Sequence, residues 1–319
     1  MKNFLSVEDV NDLPGLLKSA EEIKKNPLKE KGLGSGKCLG LIFLNPSLRT
    51  RLSTQRAAYN LGMQTMVMNL MEEGWKMETH DGAVMDGENV EHIREAAAVI
   101  GRYCEIIGIR TFPQLKDRNE DYQEMILRQM IKFSGRPVIS LESATRHPLQ
   151  SFADMMTIEE YISRNKRRPR VVMSWAPHPK ALPQSVPNSF AEWSLKMNYE
   201  LVITHPEGYE LDPGFVKNAT IEHDQDKALE GADIVYMKNW SSYHEYGKIL
   251  CRDRNWTLTL KKLEKTNQAK VMHCLPVRRN VVIADDVLDS EHSIVIQEAE
   301  NRVYTAQAVI RQLLKDNVL

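Results

Sequence analysis

The residues with most chemistry to offer stand in short polar segments, each directly after an apolar run. Asn45-Pro46-Ser47-Leu48-Arg49-Thr50-Arg51 follows Cys38–Leu44 and opens a helical pattern. Hydroxyls and arginines at a helix start make an oxyanion cradle, because unpaired N–H groups, the positive dipole end and guanidinium forks converge there. Ser47 as a plain N-cap, with Arg49 and Arg51 as surface charges, fits the same residues. Arg110 ends the run Ile106–Ile109, and His147-Pro148-Leu149-Gln150 comes after the run that ends at Ser140. A cation and an imidazole beside a bound phosphate could polarise a carbonyl and neutralise a leaving group. Gln150 adds an amide that both donates and accepts. His273-Cys274-Leu275-Pro276 ends a further run. Pro276 keeps Leu275 out of helical geometry, which leaves nearby carbonyls available to an NH₂ group. Nucleophilic chemistry at Cys274 is the less favoured alternative, since no Cys–His–acid arrangement is readable around it.

Several other chemistries are disfavoured. Gly32–Lys37 lacks the Walker spacing and has Cys38 where a magnesium-binding hydroxyl belongs, and no GxGxxG follows a strand. The four cysteines (Cys38, Cys104, Cys251, Cys274) form no CxxC pair, and His147, His178, His205 and His273 lack a short ligand spacing, so neither a disulfide framework nor a metal site is expected. With 42 Lys+Arg against 43 Asp+Glu, the formal charge of −1 gives no basis for nucleic-acid binding. The run Cys38–Leu44 falls far short of the about 20 residues a membrane helix needs. The N-terminal residues turn acidic at Glu8, Asp9 and Asp12, unlike a signal peptide, so a cytoplasmic protein is expected.

The elements that must position these segments alternate. Apolar β-rich runs stand at Cys38–Leu44, Thr65–Leu70, Ile106–Ile109 and Pro137–Ser140, then at Arg170–Ser174, Glu200–Thr204, Ile234–Met237, Lys270–His273 and Ile294–Ile296. Helical patterns lie between them, including Ser53–Asn60 closed by Gly62, Glu91–Ile100, Tyr122–Phe133 and Asn188–Met197. The charged stretch Arg164–Arg170 is expected to be a solvated loop. The pattern predicts an α/β protein of two domains, each with a mostly parallel sheet flanked by helices. Domain 1 covers 1–150 together with a C-terminal helix, 302–319, that packs back on it, and domain 2 covers 151–301. In such sheets ligands gather at the carboxyl ends of strands, where Arg110, Glu142–Gln150, His178, Lys238, His273–Arg279 and Glu298–Arg302 all fall.

Taken together, Ser47–Arg51 resembles the Ser-Thr-Arg-Thr-Arg motif of the aspartate/ornithine carbamoyltransferase family. His147-Pro148-Leu149-Gln150 resembles that family's His-Pro-x-Gln, and His273-Cys274-Leu275-Pro276 the His-Cys-Leu-Pro of its ornithine branch. The resemblance runs over almost the whole chain. It implies a carbamoyl-phosphate site of Ser47, Leu48, Arg49, Thr50, Arg110, His147, Pro148, Leu149, Gln150, Cys274, Leu275 and Arg302. Arg49, Thr50, Arg110, His147 and Gln150 would be the catalytic members. It further implies a homotrimer without metal or organic cofactor, in which Trp75 is lent to a neighbouring subunit's site. Glu142, His178, Lys238, Arg278 and Val90 match positions facing the acceptor.

The family's ordinary ornithine enzymes meet a free α-ammonium with an acidic residue, where this chain has Lys238-Asn239-Trp240. A lysine repels an ammonium and attracts an acyl oxygen or a carboxylate, which favours an acylated ornithine. The N-acetylornithine branch has a glutamate where this chain has Val90 and a modified lysine where it has Val282. Glutamate at 90 would oppose a succinyl carboxylate. N2-Succinyl-L-ornithine is therefore the expected acceptor, in arginine biosynthesis, with N2-acetyl-L-ornithine the alternative. A non-catalytic relative that binds a phosphorylated ligand is the rival from another class.

Overall fold

Uninterrupted burial sets the interior strands, and alternating exposure marks an edge. Cys38–Phe43 (β1) is buried along its whole length, as a parallel strand covered on both faces must be. Gln64–Asn69 (β2) alternates exposed with half-buried positions and takes the sheet edge. The structure, a computed structural model, describes residues 1–162 and 168–317. Residues 163–167, which hold most of the charged stretch expected to be a loop, lie outside them. Two compact units result: Met1–Gln114, Asn119–Leu149 and Arg302–Leu319, and then Leu115–Arg118 with Gln150–Asn301. Residues 115–118 join the second unit because the Arg118 guanidinium lies over the Tyr243 ring at 4.1 Å and donates to the Tyr243 carbonyl at 2.9 Å.

In chain order the first unit contains α1 (Leu13–Lys25), β1, α2 (Leu48–Leu61), β2, α3 (Leu70–Glu73), β3 (Met77–Glu78), β4 (Glu91–His92) and α4 (Ile93–Tyr103). β5 (Ile106–Arg110), α5 (Arg118–Gln123), α6 (Met125–Phe133) and β6 (Val138–Glu142) follow. The sheet order is β2-β1-β5-β6, parallel throughout. The outer edge of β6 is covered by Phe4, whose N–H donates to the Val138 carbonyl and whose carbonyl accepts from Ser140, both at 2.9 Å. Gly62 closes α2 with φ 80°, and a Cβ there would stand 1.9 Å from the Lys31 carbonyl oxygen.

α7 (Pro148–Tyr161) leads into the second unit, which continues with β7 (Arg170–Trp175), α8 (Ser185–Lys196), β8 (Glu200–Thr204), α9 (Pro213–Val216) and β9 (Thr220–Glu222). α10 (Gln225–Leu229), β10 (Ile234–Lys238), α11 (Leu260–Leu263), β11 (Lys270–Met272), α12 (Asp285–Leu288) and α13 (Val295–Asp316) complete the chain. This sheet is also parallel, in the order β11-β10-β7-β8-β9. The second half of α13 belongs to the first unit. Its Gln307 accepts from Asn60 and donates to the Pro27 carbonyl, and Arg311 grips Glu30 and Ser19.

Strand order reverses between β1 and β5 in the first sheet and between β7 and β10 in the second. Open parallel sheets bind ligands beyond the carboxyl ends of strands at such reversals. The segments after β1 and β5 are Asn45–Thr50 and Arg110; those after β7 and β10 contain His178 and Lys238-Asn239.

Two expected elements differ. Ile294–Ile296 is no strand: only Ser293 bridges to Val271, and the chain turns at once into α13. The helix expected over Tyr122–Phe133 breaks at Glu124, which adopts φ 48° and accepts from both the N–H and the hydroxyl of Thr145.

Candidate active site

In the first unit the site starts at α2. Ser47 occupies the N-cap position with extended backbone, yet its side chain makes no capping hydrogen bond. No acidic residue stands in the first turn, while Arg49 and Arg51 put positive charge at the positive end of the dipole. Both features are unfavourable for an isolated helix and become favourable once an anion sits there. Thr50, 1% exposed, accepts from Arg302 Nη2 at 2.6 Å, which ties the helix start to α13.

Arg110 leaves the end of β5 buried, with its guanidinium paired to Glu142 at the end of β6. Its Nε has no hydrogen-bond partner among the described residues. A buried donor of this kind is expensive to leave unmade, so a ligand oxygen is its natural partner. His147 is also buried and holds Nε2 3.7 Å from the Glu142 carboxylate. Pro148 then opens α7 at a position where a missing N–H costs nothing. Glu142, expected to face the acceptor, thus sits with Arg110 and His147.

In the second unit Gln150 has its amide nitrogen between two carboxylates, 2.8 Å from Asp154 Oδ1 and 3.1 Å from Glu298 Oε1. Its oxygen is buried and accepts nothing from the described residues. The loop after β11 is ordered by its own histidine. The Leu275 N–H donates to His273 Nδ1 at 2.8 Å, and the His273 N–H donates to Glu298 Oε2 at 2.8 Å. His273 therefore directs Nδ1 at the main chain and not at the Cys274 thiol. Leu275 takes φ 55° and belongs to no helix or strand.

Lys238, 7% exposed, donates to the Asn239 carbonyl at 2.9 Å, and Asn239 Nδ2 reaches the Ala176 carbonyl at 2.6 Å across the reversal. His178 Nε2 lies 3.0 Å from Arg278 Nε, a donor, while Nδ1 lies 2.8 Å from the Lys180 carbonyl and 3.1 Å from the Lys180 N–H; with its proton on Nδ1 the ring accepts from Arg278. Burial pushes the His178 imidazole below its usual range, the Lys180 carbonyl acts against this, and Arg278 and Lys238 lower it further. Removing Arg278 takes away both a repelling charge and a bond that favours the neutral ring. Arg278→Met is thus expected to raise the His178 titration midpoint, read by NMR of the imidazole. An imidazole held neutral in the folded state takes its proton first when unfolded. Its contribution to stability is present above about pH 6.5 and is lost as pH falls below it.

Comparison with known proteins identifies the family. Residues 2–160 match the family model described as "Aspartate/ornithine carbamoyltransferase, carbamoyl-P binding domain", and residues 183–313 match the family's "Asp/Orn binding domain". The chain belongs to the aspartate/ornithine carbamoyltransferase family. It is 56% identical over 317 residues to an N-succinylornithine carbamoyltransferase of Bacteroides thetaiotaomicron, covering 99% of each chain. It is 34% identical over 334 residues to an N-acetylornithine carbamoyltransferase of Xanthomonas axonopodis pv. citri, covering 98% of this chain and 96% of that one. Among solved structures it matches an N-acetyl-L-ornithine transcarbamylase carrying a glutamate-to-valine replacement, complexed with carbamyl phosphate and N-succinyl-L-norvaline. There the TM-score is 0.92 at 34% identity, over 98% of this chain and 100% of that chain.

For a carbamoyltransferase, other expected site residues take instructive places. Leu149 is buried at the start of α7, whereas Leu48 is 70% exposed on α2. Trp75 is also exposed, and its indole N–H donates to Glu91 at 3.0 Å. Val90 is 66% exposed, with its N–H bonded to the Lys76 carbonyl. Val282 packs in the second unit's core, beside Ile283 and Val287. Sequence does not single out Asp154 for the site, and it marks Glu298 only as the first residue of the polar segment Glu298–Arg302. A Gln-x-x-x-Asp pair at i, i+4, and a glutamate in the polar Glu298–Arg302 segment, are the signals that could have found them. Among the described residues no group of three or more His, Cys, Asp or Glu side chains could hold a metal ion, and no helix is long and apolar enough to cross a membrane.

Proposed function

We propose that the protein transfers the carbamoyl group of carbamoyl phosphate to the δ-amine of N2-succinyl-L-ornithine, giving N2-succinyl-L-citrulline and phosphate. The observation that carries this is 56% identity over 99% of the chain to an N-succinylornithine carbamoyltransferase, against 34% to the N-acetyl enzymes. Ser47, Arg49, Thr50 and Arg110 receive the phosphate, with Arg302 holding Thr50 and the backbone of Leu48, Pro148 and Leu149 shaping the site. His147 and Arg110 polarise the carbonyl oxygen. Gln150 Oε1 and the Cys274 and Leu275 carbonyls accept from the carbamoyl NH₂. The uncharged δ-amine attacks the carbonyl carbon, a C–N bond forms, and the C–O bond to phosphate breaks. The phosphate carries away the amine proton. Catalysis is mainly positioning and preorganised electrostatics.

Lys238, Arg278 and the neutral His178 form a cationic setting for the acceptor's carboxylates, and Glu142 offers an anion to its amino end. Val90 leaves room and neutral charge for the succinyl group. In support, the related N-acetyl-L-ornithine enzyme was crystallised with N-succinyl-L-norvaline when a glutamate had been replaced by valine. The exposed Trp75 supports a homotrimer in which Trp75 completes a neighbouring site. The protein would then act in arginine biosynthesis in the cytoplasm, with small-molecule substrates as its partners, no nucleic acid or membrane, and no cofactor.

The deciding test is the rate of carbamoyl transfer to N-succinyl-, N-acetyl- and free ornithine. Succinylornithine is expected to be fastest and free ornithine slowest. Preference for acetylornithine would overturn the role of Val90. Preference for the free amino acid would overturn that of Lys238.

A further inference from the structure

We propose that Glu298, helped by Asp154, is the positioning group that makes Gln150 selective for the amide end of the donor. It rests on the assignment of Gln150 to the carbamoyl NH₂. A primary amide can turn over at little steric cost, and the two orientations differ only in what its nitrogen and oxygen meet. Here both N–H bonds of Gln150 are taken by carboxylates, at 2.8 Å to Asp154 and 3.1 Å to Glu298. The reverse orientation would give up both bonds and set the amide oxygen against two buried carboxyl groups. The oxygen is therefore held away from both carboxyl groups as a buried acceptor without a hydrogen-bond partner among the described residues, and only a donor can satisfy it.

Glu298 does this for two elements at once. Oε1 fixes Gln150 on α7, while Oε2 accepts the His273 N–H, and His273 in turn holds the Leu275 N–H. One fully buried carboxylate thus sets both the side-chain acceptor and the loop whose carbonyls join it. Neither Glu298 nor Asp154 is assigned a contact with substrate. Both act through Gln150.

Glu298→Gln keeps the shape but replaces two acceptors by one acceptor and one donor. If the new oxygen takes the His273 N–H, the new NH₂ confronts Gln150 and turns its oxygen inward. In the other orientation the His273 N–H loses its acceptor. Acetyl phosphate, with a methyl group where carbamoyl phosphate has NH₂, is the probe. The parent protein is expected to bind carbamoyl phosphate about tenfold more tightly than acetyl phosphate. In Glu298→Gln that preference is expected to vanish, with acetyl phosphate and inorganic phosphate binding as before and the KM for the acyl acceptor unchanged. Asp154→Asn, which alters the Gln150 contact and leaves the Glu298–His273 bond in place, supplies a second reading should the first variant fold poorly. A preserved carbamoyl preference in a folded variant, or equal weakening of all three phosphates, would overturn the proposal. A parent protein that does not distinguish the two acyl phosphates would instead overturn the assignment of Gln150 itself.

Discussion

Arg110→Met is expected to abolish measurable carbamoyl transfer and to lower stability by about 3–5 kcal/mol, the range for removing one partner of a buried ion pair. Arg110 and Glu142 are paired at side-chain exposures of 11% and 7%, so the variant takes the guanidinium away from a carboxylate in a dry setting, where His147 Nε2 stands 3.7 Å off. The double variant Arg110→Met/Glu142→Leu separates the two consequences. Replacing both ions by apolar groups of similar volume should recover most of the lost stability in urea unfolding, because an apolar pair of that kind is often neutral or stabilising. Turnover should stay absent, since the phosphate and the carbonyl oxygen have then lost the Arg110 guanidinium. A double variant that recovers activity would show that Arg110 serves only the fold.

His147→Ala should lower kcat about 100- to 1,000-fold, roughly 3–4 kcal/mol of barrier, as expected for the loss of one donor to a developing oxyanion. The KM for carbamoyl phosphate should change much less, because Arg49 and Arg110 still hold the phosphate. Turnover within a few-fold of the parent would remove His147 from the chemistry. A matched far-ultraviolet spectrum excludes a folding defect as the cause.

Strand positions and the clustering of hydroxyls and arginines at the start of α2 were legible because burial and charge repeat at short range. β1 is an unbroken apolar run, and Ser47–Arg51 announces itself by type and spacing. Long-range partners were not legible. The break at Glu124 exists because its carboxylate meets Thr145, which no local pattern encodes. Ile294–Ile296 read as a strand because a three-residue apolar run carries no period, and the following turns of α13 decide the matter. Asp154, and the partners of Glu298, lie beyond local pattern for a related reason. A buried carboxylate on a helix looks like a surface charge until the groups it bonds are known. Whether Ser47 caps α2 or leaves it open was likewise undecidable from residue type, since the same serine suits both.

That open helix start has a practical consequence. With Ser47 leaving α2 uncapped by its side chain and arginines at its positive end, the substrate-free protein should capture whatever oxyanion its buffer supplies. Sulfate or phosphate would then add RT ln(1 + [L]/Kd) to apparent stability, so melting temperatures taken in such media describe an occupied protein. Chloride salts with an amine buffer give the true baseline, and the difference between the two media reports the strength of this capture without any enzymatic assay.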